Sequence, residues 1–220
     1  MDKIFEYQSE IWLSIGQTFV MVGISLLAAV LVGLPLGTYL YLSRRGNLYE
    51  NRFLFTILDT YVNIVRSFPF LLLVVFLIPF TRFVMGTAIG TMAATVPLAI
   101  ISIAYYARLV QQSLLDVPKE IIEAAISMGA SKTQIIFKFL YREARSGLVF
   151  GLTSATISFI SYSTVMGVVG GGGVGDFAIR YGYQRFETEL MIFIIIMMII
   201  LVQIIQVSGT MLSNKLDKRS

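Results

Sequence analysis

The fold class is decided by a stretch near the start of the chain, IWLSIGQTFVMVGISLLAAVLVGLPLGTYLYLS, which runs from Ile11 to Ser43 without a charged side chain. Three further charge-free stretches follow, from Phe83 to Ala107, from Ser146 to Gly175 and from Leu190 to Asn214. Each is longer than the roughly 20 apolar residues that a helix needs to cross a hydrocarbon core. The sequence therefore predicts an all-α polytopic membrane protein.

The composition supports this class and excludes others. Of the 220 residues, 56% are hydrophobic and only 14% are charged, against roughly 25% charged in an ordinary soluble domain. The chain has no Cys and no His, which excludes disulfides and imidazole metal ligands, and it has no phosphate-binding loop of the GxxxxGK[ST] type. We therefore expect no catalytic, cofactor or metal site, and any ATP-driven step must use another chain.

A fifth span is predicted between the first two charge-free stretches, because residues 53–80 are apolar except for Asp59 and Arg66. Residues 67–80 alone are too short to cross, so the helix must begin near Phe53. We treat residues 1–220 as a single transmembrane domain with five spans and one long loop. The spans are predicted at about 12–42, 54–80, 84–107, 147–169 and 189–212, with the loop at 108–145.

The orientation follows from the basic residues of the connecting segments. The segments 44–52, 108–145 and 215–220 hold twelve Lys and Arg, whereas 1–10, 81–82 and 176–189 hold four. Because basic loops stay in the cytoplasm, the N-terminus is predicted outside and the C-terminus inside. The first ten residues are mostly acidic in charge, unlike the start of a signal peptide, so we expect the first span to be retained. The net charge of +4 is explained without a nucleic-acid partner.

Polar and helix-breaking residues inside the spans have two interpretations. Small residues allow close helix packing, and Pro bends helices, so both can be purely structural. Alternatively, they line a substrate path, and an intramembrane Arg is itself a functional candidate. Arg66 could instead reach water or bond carbonyls that Pro69 frees; Asp59, two turns earlier, is a doubtful partner. The candidates for the path are Arg66, Pro69, Ser154, Ser158, Ser161 and Tyr162.

The 108–145 loop is long enough to require its own structure. Pro118 fits the start of a helix, Gly129 fits the position just past its end, and Ser131 to Gln134 is a capping box. We predict a short helix at about 118–128 and a second from about 132 into span four. The short helix could insert into a groove of a partner or lie on the membrane surface, and its pattern does not separate these alternatives.

Two sets of motifs resemble a known family. Glu123-Ala124-Ala125 followed by Gly129 is similar to the EAA motif of ABC importer permeases, although the Leu-Pro that usually follows is replaced in the segment Phe139 to Arg142. Further segments resemble, in order and spacing, the permease of methionine importers. They are IVRSFPF (64–70), IPFTR (78–82), GTAIG (86–90), SYS (161–163), the glycine run 170–175 and YGY (181–183).

The resemblance implies a type I ABC importer permease fold with five spans, working as a homodimer in the bacterial inner membrane. Partners would be a cytoplasmic ABC ATPase dimer and an extracytoplasmic substrate-binding protein or lipoprotein, besides membrane lipid. The short helix would dock on the ATPase through residues chosen among Pro118, Glu120, Ile122, Glu123, Ala124, Ala125, Ile126, Met128, Gly129 and Ala130. The glycine run would face the binding protein, with Gly171, Gly172, Gly173, Gly175 and Asp176 as candidate contacts; a flexible turn is the alternative.

The functional hypothesis is therefore a permease subunit that imports methionine or a related amino acid. A permease for another small substrate is the first alternative. An ion-coupled secondary transporter is less favoured, because such proteins carry acidic residues or His within spans and only Asp59 and Arg66 intrude here.

Overall fold

The computed structural model describes residues 5–217, and nearly all of this part of the chain is helical. Asp2, Lys3, Lys218 and Arg219, which contributed to the predicted orientation, lie outside the described residues. Short π-helical turns occur at Ala29–Gly33, Ile135–Leu140 and Ala178–Tyr183. The helices are α1 (Gln8–Leu42), α2 (Arg52–Ser67), α3 (Phe70–Phe76), α4 (Ile78–Met85), α5 (Thr91–Leu115), α6 (Lys119–Ser127), α7 (Lys132–Val168), α8 (Gly173–Phe177) and α9 (Thr188–Leu216).

Within residues 5–217, four helices are long and apolar enough to cross a membrane: α1, α5, α7 and α9. A fifth crossing is obtained only if α2 and α3 are counted as one broken span. The prediction of an all-α membrane protein is confirmed, and the predicted number of five spans corresponds to the broken pair counted once.

The predicted second span, 54–80, is not one straight helix. α2 ends at Ser67, Phe68 is extended, and α3 leaves at an angle of 105° to α2. The break lies at Pro69, which has no amide N–H and disfavours helical geometry in the residue before it. Pro69 therefore ends one helix and begins another.

The predicted third span is shifted along the chain. It was expected at 84–107, but α5 begins at Thr91 and continues to Leu115. Gly86 and Gly90 both have positive φ, which ends α4 and delays the start of α5. As a result, the first eight residues of the predicted 108–145 loop belong to α5.

α5 is the most buried of the four long helices and contacts α1, α2 and α7. Its Tyr106 and Val110 lie in one core cluster with Leu140 and Phe159 of α7. Close van der Waals packing of these side chains stabilises the bundle against separation of α5 from α7. α9 is the least buried long helix, so most of its apolar surface faces outward.

Glycine allows α1 to approach α5 closely. A Cβ added at Gly33 would stand 2.8 Å from the carbonyl oxygen of Ile103, and one added at Gly37 would overlap the carbonyl oxygen of Ala107. These two positions of α1 therefore have a packing role, as the structural interpretation of the small residues predicts.

Candidate functional site

α6 is a separate short helix with defined ends. Pro118 occupies its N-cap position, and the chain leaves the helix at Gly129, whose φ is +76°. The Gly129 amide donates to the Ile126 carbonyl at 2.9 Å and the Ala130 amide to the Ala125 carbonyl at 3.0 Å. These two bonds form a Schellman motif, which needs a residue with positive φ. The predicted helix at about 118–128 and the role of its glycine are confirmed.

The two faces of α6 differ. Ala125 is fully buried and Ile122 packs against the main core cluster, so this side holds the helix on the bundle. Glu120, Glu123 and Ala124 are exposed on the other side. The helix therefore presents two carboxylates and the small side chain of Ala124 away from the bundle.

Two larger apolar side chains extend this exposed surface. Ile126 is 52% exposed and Met128 is 69% exposed. Exposed apolar side chains grouped on one face mark a candidate protein contact surface, and Met is enriched in such surfaces. Met128 is flexible and suits an adaptable contact.

α7 follows α6 after the turn at residues 128–131 and links α6 to the rest of the bundle. The predicted capping box is confirmed: the Gln134 amide donates to Ser131 Oγ at 3.3 Å, and the Ser131 amide donates to Gln134 Oε1 at 2.9 Å. Further along, Tyr141 Oη lies 2.7 Å from Thr38 Oγ1 of α1. A displacement of α6 would thus reach α1 through the first turns of α7.

The absence of Leu-Pro after the EAA-like motif has a structural counterpart. Residues Ile135–Leu140 form a π-helical turn, and α7 continues without interruption from Lys132 to Val168. A π turn inserts one residue into the helix without removing a donor, unlike Pro. The sequence left open whether this helix is kinked, and the structure shows a continuous one.

The structure brings several path candidates together where α2, α5 and α7 meet. The Arg66 guanidinium lies over the Tyr105 ring, 5.8 Å from its centroid. Tyr105 Oη accepts a hydrogen bond from Ser158 Oγ at 3.2 Å. On the next turn of α7, Tyr162 stacks on Phe70, the residue after Pro69, with 4.6 Å between ring centroids.

The remaining path candidates lie apart from this group. Ser154 and Ser161 donate to carbonyls of their own helix, those of Phe150 and Ile157. Ser161 lines a separate cavity of about 620 Å³ between α7 and α9. The serines therefore do not form one continuous polar seam, and Ser158 alone among these three reaches another helix.

Two residues of this region were missed from the sequence. Tyr105 connects Arg66 to Ser158 and was not among the candidates. Arg108 was assigned to a loop, but it lies in α5 and pairs with Asp59 at 2.9 Å. Arg108 also donates to Asn63 Oδ1 at 2.5 Å, so Asp59 belongs to an α2–α5 contact and not to Arg66. A longer α5 would have placed Arg108 in a helix, whereas nothing in the sequence marks Tyr105 as the neighbour of Arg66.

The glycine run is compact and inward-facing in this chain. Gly171, Gly173 and Gly175 are buried, and Gly172 and Gly173 have positive φ. The Gly173 amide donates to Gln17 Oε1 at 2.7 Å, and a Cβ at Gly175 would overlap the Thr164 backbone. These contacts give the glycines a packing role between α1 and α7.

Asp176 lies in the same segment and is half-buried. Its carboxylate pairs with Arg180 one turn later at 2.5 Å. Arg180 is more exposed than Asp176, so this pair marks the outward edge of the segment. Contact of Asp176 and the glycines with a binding protein stays a prediction.

The chain is similar in sequence to known membrane transport proteins. The family described as binding-protein-dependent transport system inner membrane component matches residues 29–219. A probable D-methionine transport system permease protein of Vibrio cholerae is 45% identical over 203 residues, which cover 92% of this chain and 90% of that protein. A methionine import system permease protein of Bacillus subtilis is 40% identical, covering 82% and 81% of the two chains.

Solved structures show the same architecture. A chain from inward-facing conformations of the MetNI methionine ABC transporter superposes with a TM-score of 0.93 at 36% identity, covering 97% of this chain and 99% of that one. A chain from an amino acid ABC transporter crystallised with histidines gives a TM-score of 0.80 at 18% identity, which is a likeness of fold alone.

Proposed function

The chain belongs to the family of binding-protein-dependent transport system inner membrane components, and from this membership we propose that it is the permease subunit of an ATP-driven importer for methionine or a closely related amino acid. It is a multi-pass protein of the inner membrane. The observation that carries the proposal is α6, a short helix that is anchored by Ala125 and presents Glu120, Glu123 and Ala124 outward. Relatives named as methionine permeases support the substrate class.

We propose that α6 docks in a cleft of a cytoplasmic ATPase and receives its movement. Docking of a short helix in a groove fits the exposed face described above, because that face combines carboxylates with Ile126 and Met128. The contact set comprises Pro118, Glu120, Ile122, Glu123, Ala124, Ala125, Ile126, Met128, Gly129 and Ala130. Of these, Ile122 and Ala125 act by holding α6 on the bundle.

The permease would work as a homodimer with two ATPase subunits, and substrate would pass between its two copies. α9 supplies a largely exposed apolar surface, and the cluster at Arg66, Ser158 and Tyr162 supplies polar groups for the path. Closure of the ATPase dimer would move α6, the first turns of α7 and, through Tyr141 and Thr38, α1. Such rocking between two states is alternating access.

The orientation belongs to the same proposal. With the N-terminus outside and the C-terminus inside, α6 faces the cytoplasm, where the ATPase would be. The segment 170–187 then faces the outside, where a substrate-binding protein or lipoprotein would deliver the substrate. The excess of basic residues in the α6-side segments supports this orientation.

The proposal is tested by reconstitution into liposomes with the ATPase and the binding protein that accompany the permease. We expect methionine uptake only when ATP is supplied to the α6 side. Uptake by the permease alone, driven by a proton or sodium gradient, would assign the chain to secondary transport. Uptake of another small substrate in place of methionine would keep the mechanism and change the substrate.

A further inference from the structure

We propose that the break between α2 and α3 is a binding site for a zwitterionic amino acid, in which Arg66 and Tyr105 hold the carboxylate. This inference rests on the proposed function and deepens it, because it assigns a substrate-binding station to the permease chain itself. Three features of the break carry it: an unpaired cation, carbonyls without helical donors and an aromatic pair.

Arg66 is a cation without an anionic partner. Within residues 5–217, the Arg residues that form ion pairs are Arg108 and Arg180, and Asp59 is already held by Arg108. Arg66 is exposed, and its guanidinium lies over the Tyr105 ring, 5.8 Å from the ring centroid. A guanidinium within a membrane span is costly unless it is paired or reaches water, so a bound carboxylate there would be favoured. Its planar fork matches the two oxygens of a carboxylate.

Tyr105 supplies a second donor for the same ligand group. Its hydroxyl oxygen lies 3.2 Å from Ser158 Oγ and is one of two acceptors for the single Ser158 proton, the other being the Ser154 carbonyl at 3.1 Å. In both arrangements the Tyr105 O–H proton is available for another acceptor. Tyr105 is half-buried. A carboxylate placed between Arg66 and Tyr105 would therefore receive charge-assisted and neutral hydrogen bonds together.

The end of α2 supplies acceptors for the ammonium group. Pro69 has no N–H, so the Val65 carbonyl lacks the donor that it would have in a continuous helix. The carbonyl end of a helix also carries a partial negative charge. In secondary transporters such helix ends contribute to substrate and ion sites, and non-helical backbone at membrane depth is tolerated where it is buried in protein or lines a water-filled cavity. The cation and the acceptors lie on adjacent residues, as the two charges of an amino acid require.

The stacked rings of Phe70 and Tyr162 would contact the side chain of the bound amino acid. Phe70 and Tyr162 stack at 4.6 Å beside Leu73 and Ile101, and both rings are half-buried. A thioether or aliphatic side chain would gain favourable contacts against these rings. The site therefore favours an amino acid with an apolar side chain over a charged one.

The test uses the complete transporter in proteoliposomes and measures methionine transported per ATP hydrolysed, with radiolabelled L-methionine and saturating binding protein. We expect Arg66→Gln to lower this ratio at least tenfold and Arg66→Lys to lower it less. Arg82→Gln is the matched control, since Arg82 is exposed in α4, and it should keep the wild-type ratio. A wild-type ratio in Arg66→Gln would overturn the site.

Two further measurements separate the possible causes of failure. If Arg66→Gln does not assemble with the ATPase, the Tyr105→Phe variant tests the site instead. This substitution removes one hydroxyl and keeps the ring over which Arg66 lies. We expect Tyr105→Phe to lower the ratio about threefold or more, and an unchanged ratio would contradict the site. Absence of ATP-driven methionine uptake in the wild type would instead contradict the proposed function.

Discussion

Gly37 of α1 shows what a single residue contributes to this bundle. It faces the Ala107 carbonyl of α5 so closely that a Cβ would overlap it. We expect Gly37→Ala to destabilise the protein by about 1–3 kcal/mol, because the two helices would have to separate. Thermal unfolding in detergent measures this effect. Gly23→Ala in the same helix is the control, since nothing lies within 4 Å of a Cβ there. Equal melting temperatures for the two variants would refute the close approach.

Residue-scale prediction from sequence succeeded where the signal is local. Pro118, Gly129 and the Ser131–Gln134 capping box lie next to the helix ends that they define, so the bounds of α6 could be read directly. The neighbour of Arg66 could not be predicted, because Tyr105 lies in another helix and nothing in the sequence marks this contact. The inward packing of the glycine run likewise depends on Gln17 and Thr164, which are distant in sequence.

At the scale of elements, α6 makes the sharpest prediction. Glu123→Lys reverses the charge of an exposed residue while Ala125 continues to anchor the helix. We expect copurification of the ATPase to fall at least tenfold, because a partner that accepts a carboxylate would repel a cation at the same place. Glu6→Lys makes the same charge change at the other end of the molecule and should copurify normally. Normal copurification of both variants would contradict docking through α6.

The contact between α2 and α5 makes a second prediction at this scale. Asp59 accepts hydrogen bonds from Arg108 and Asn63 and is partly buried. Asp59→Asn should destabilise the fold by about 1–3 kcal/mol, because it leaves Arg108 without its counter-charge. Denaturation in detergent measures the loss. Glu50→Gln, at an exposed turn where Glu50 accepts from the Gly46 amide, should have little effect. A similar small effect at both sites would show that the Arg108 contact is dispensable.

Helices were predicted best where the apolar composition of a segment alone determines its bounds. Long apolar runs predicted α1, α7 and α9 closely, since crossing a membrane fixes their length. The sequence predicts one span at 54–80, because the apolar character of this segment is nearly continuous. Its break requires Pro69 together with packing of Leu73 and Val74 on α5 and α7, and such non-local contacts leave no periodic trace in the sequence.

At the scale of the whole molecule, the proposed orientation can be measured directly. The chain contains no Cys, so a single introduced thiol reports one position without background. With the N-terminus outside, Thr87→Cys between α4 and α5 should react with a membrane-impermeant maleimide added to intact spheroplasts, and Ser127→Cys at the end of α6 should react only after lysis. The reverse pattern would place α6 outside and rule out a cytoplasmic ATPase contact.

The central claim is that this chain moves methionine with energy delivered by a separate ATPase through α6. ATP hydrolysis and methionine uptake, recorded together in one preparation of proteoliposomes, test it most directly. In the wild type we expect methionine uptake to require both ATP and the binding protein. In Glu123→Lys we expect methionine uptake and ATP hydrolysis to be lost together. Methionine uptake that continues without ATP, or that survives in Glu123→Lys while hydrolysis is lost, would contradict the account.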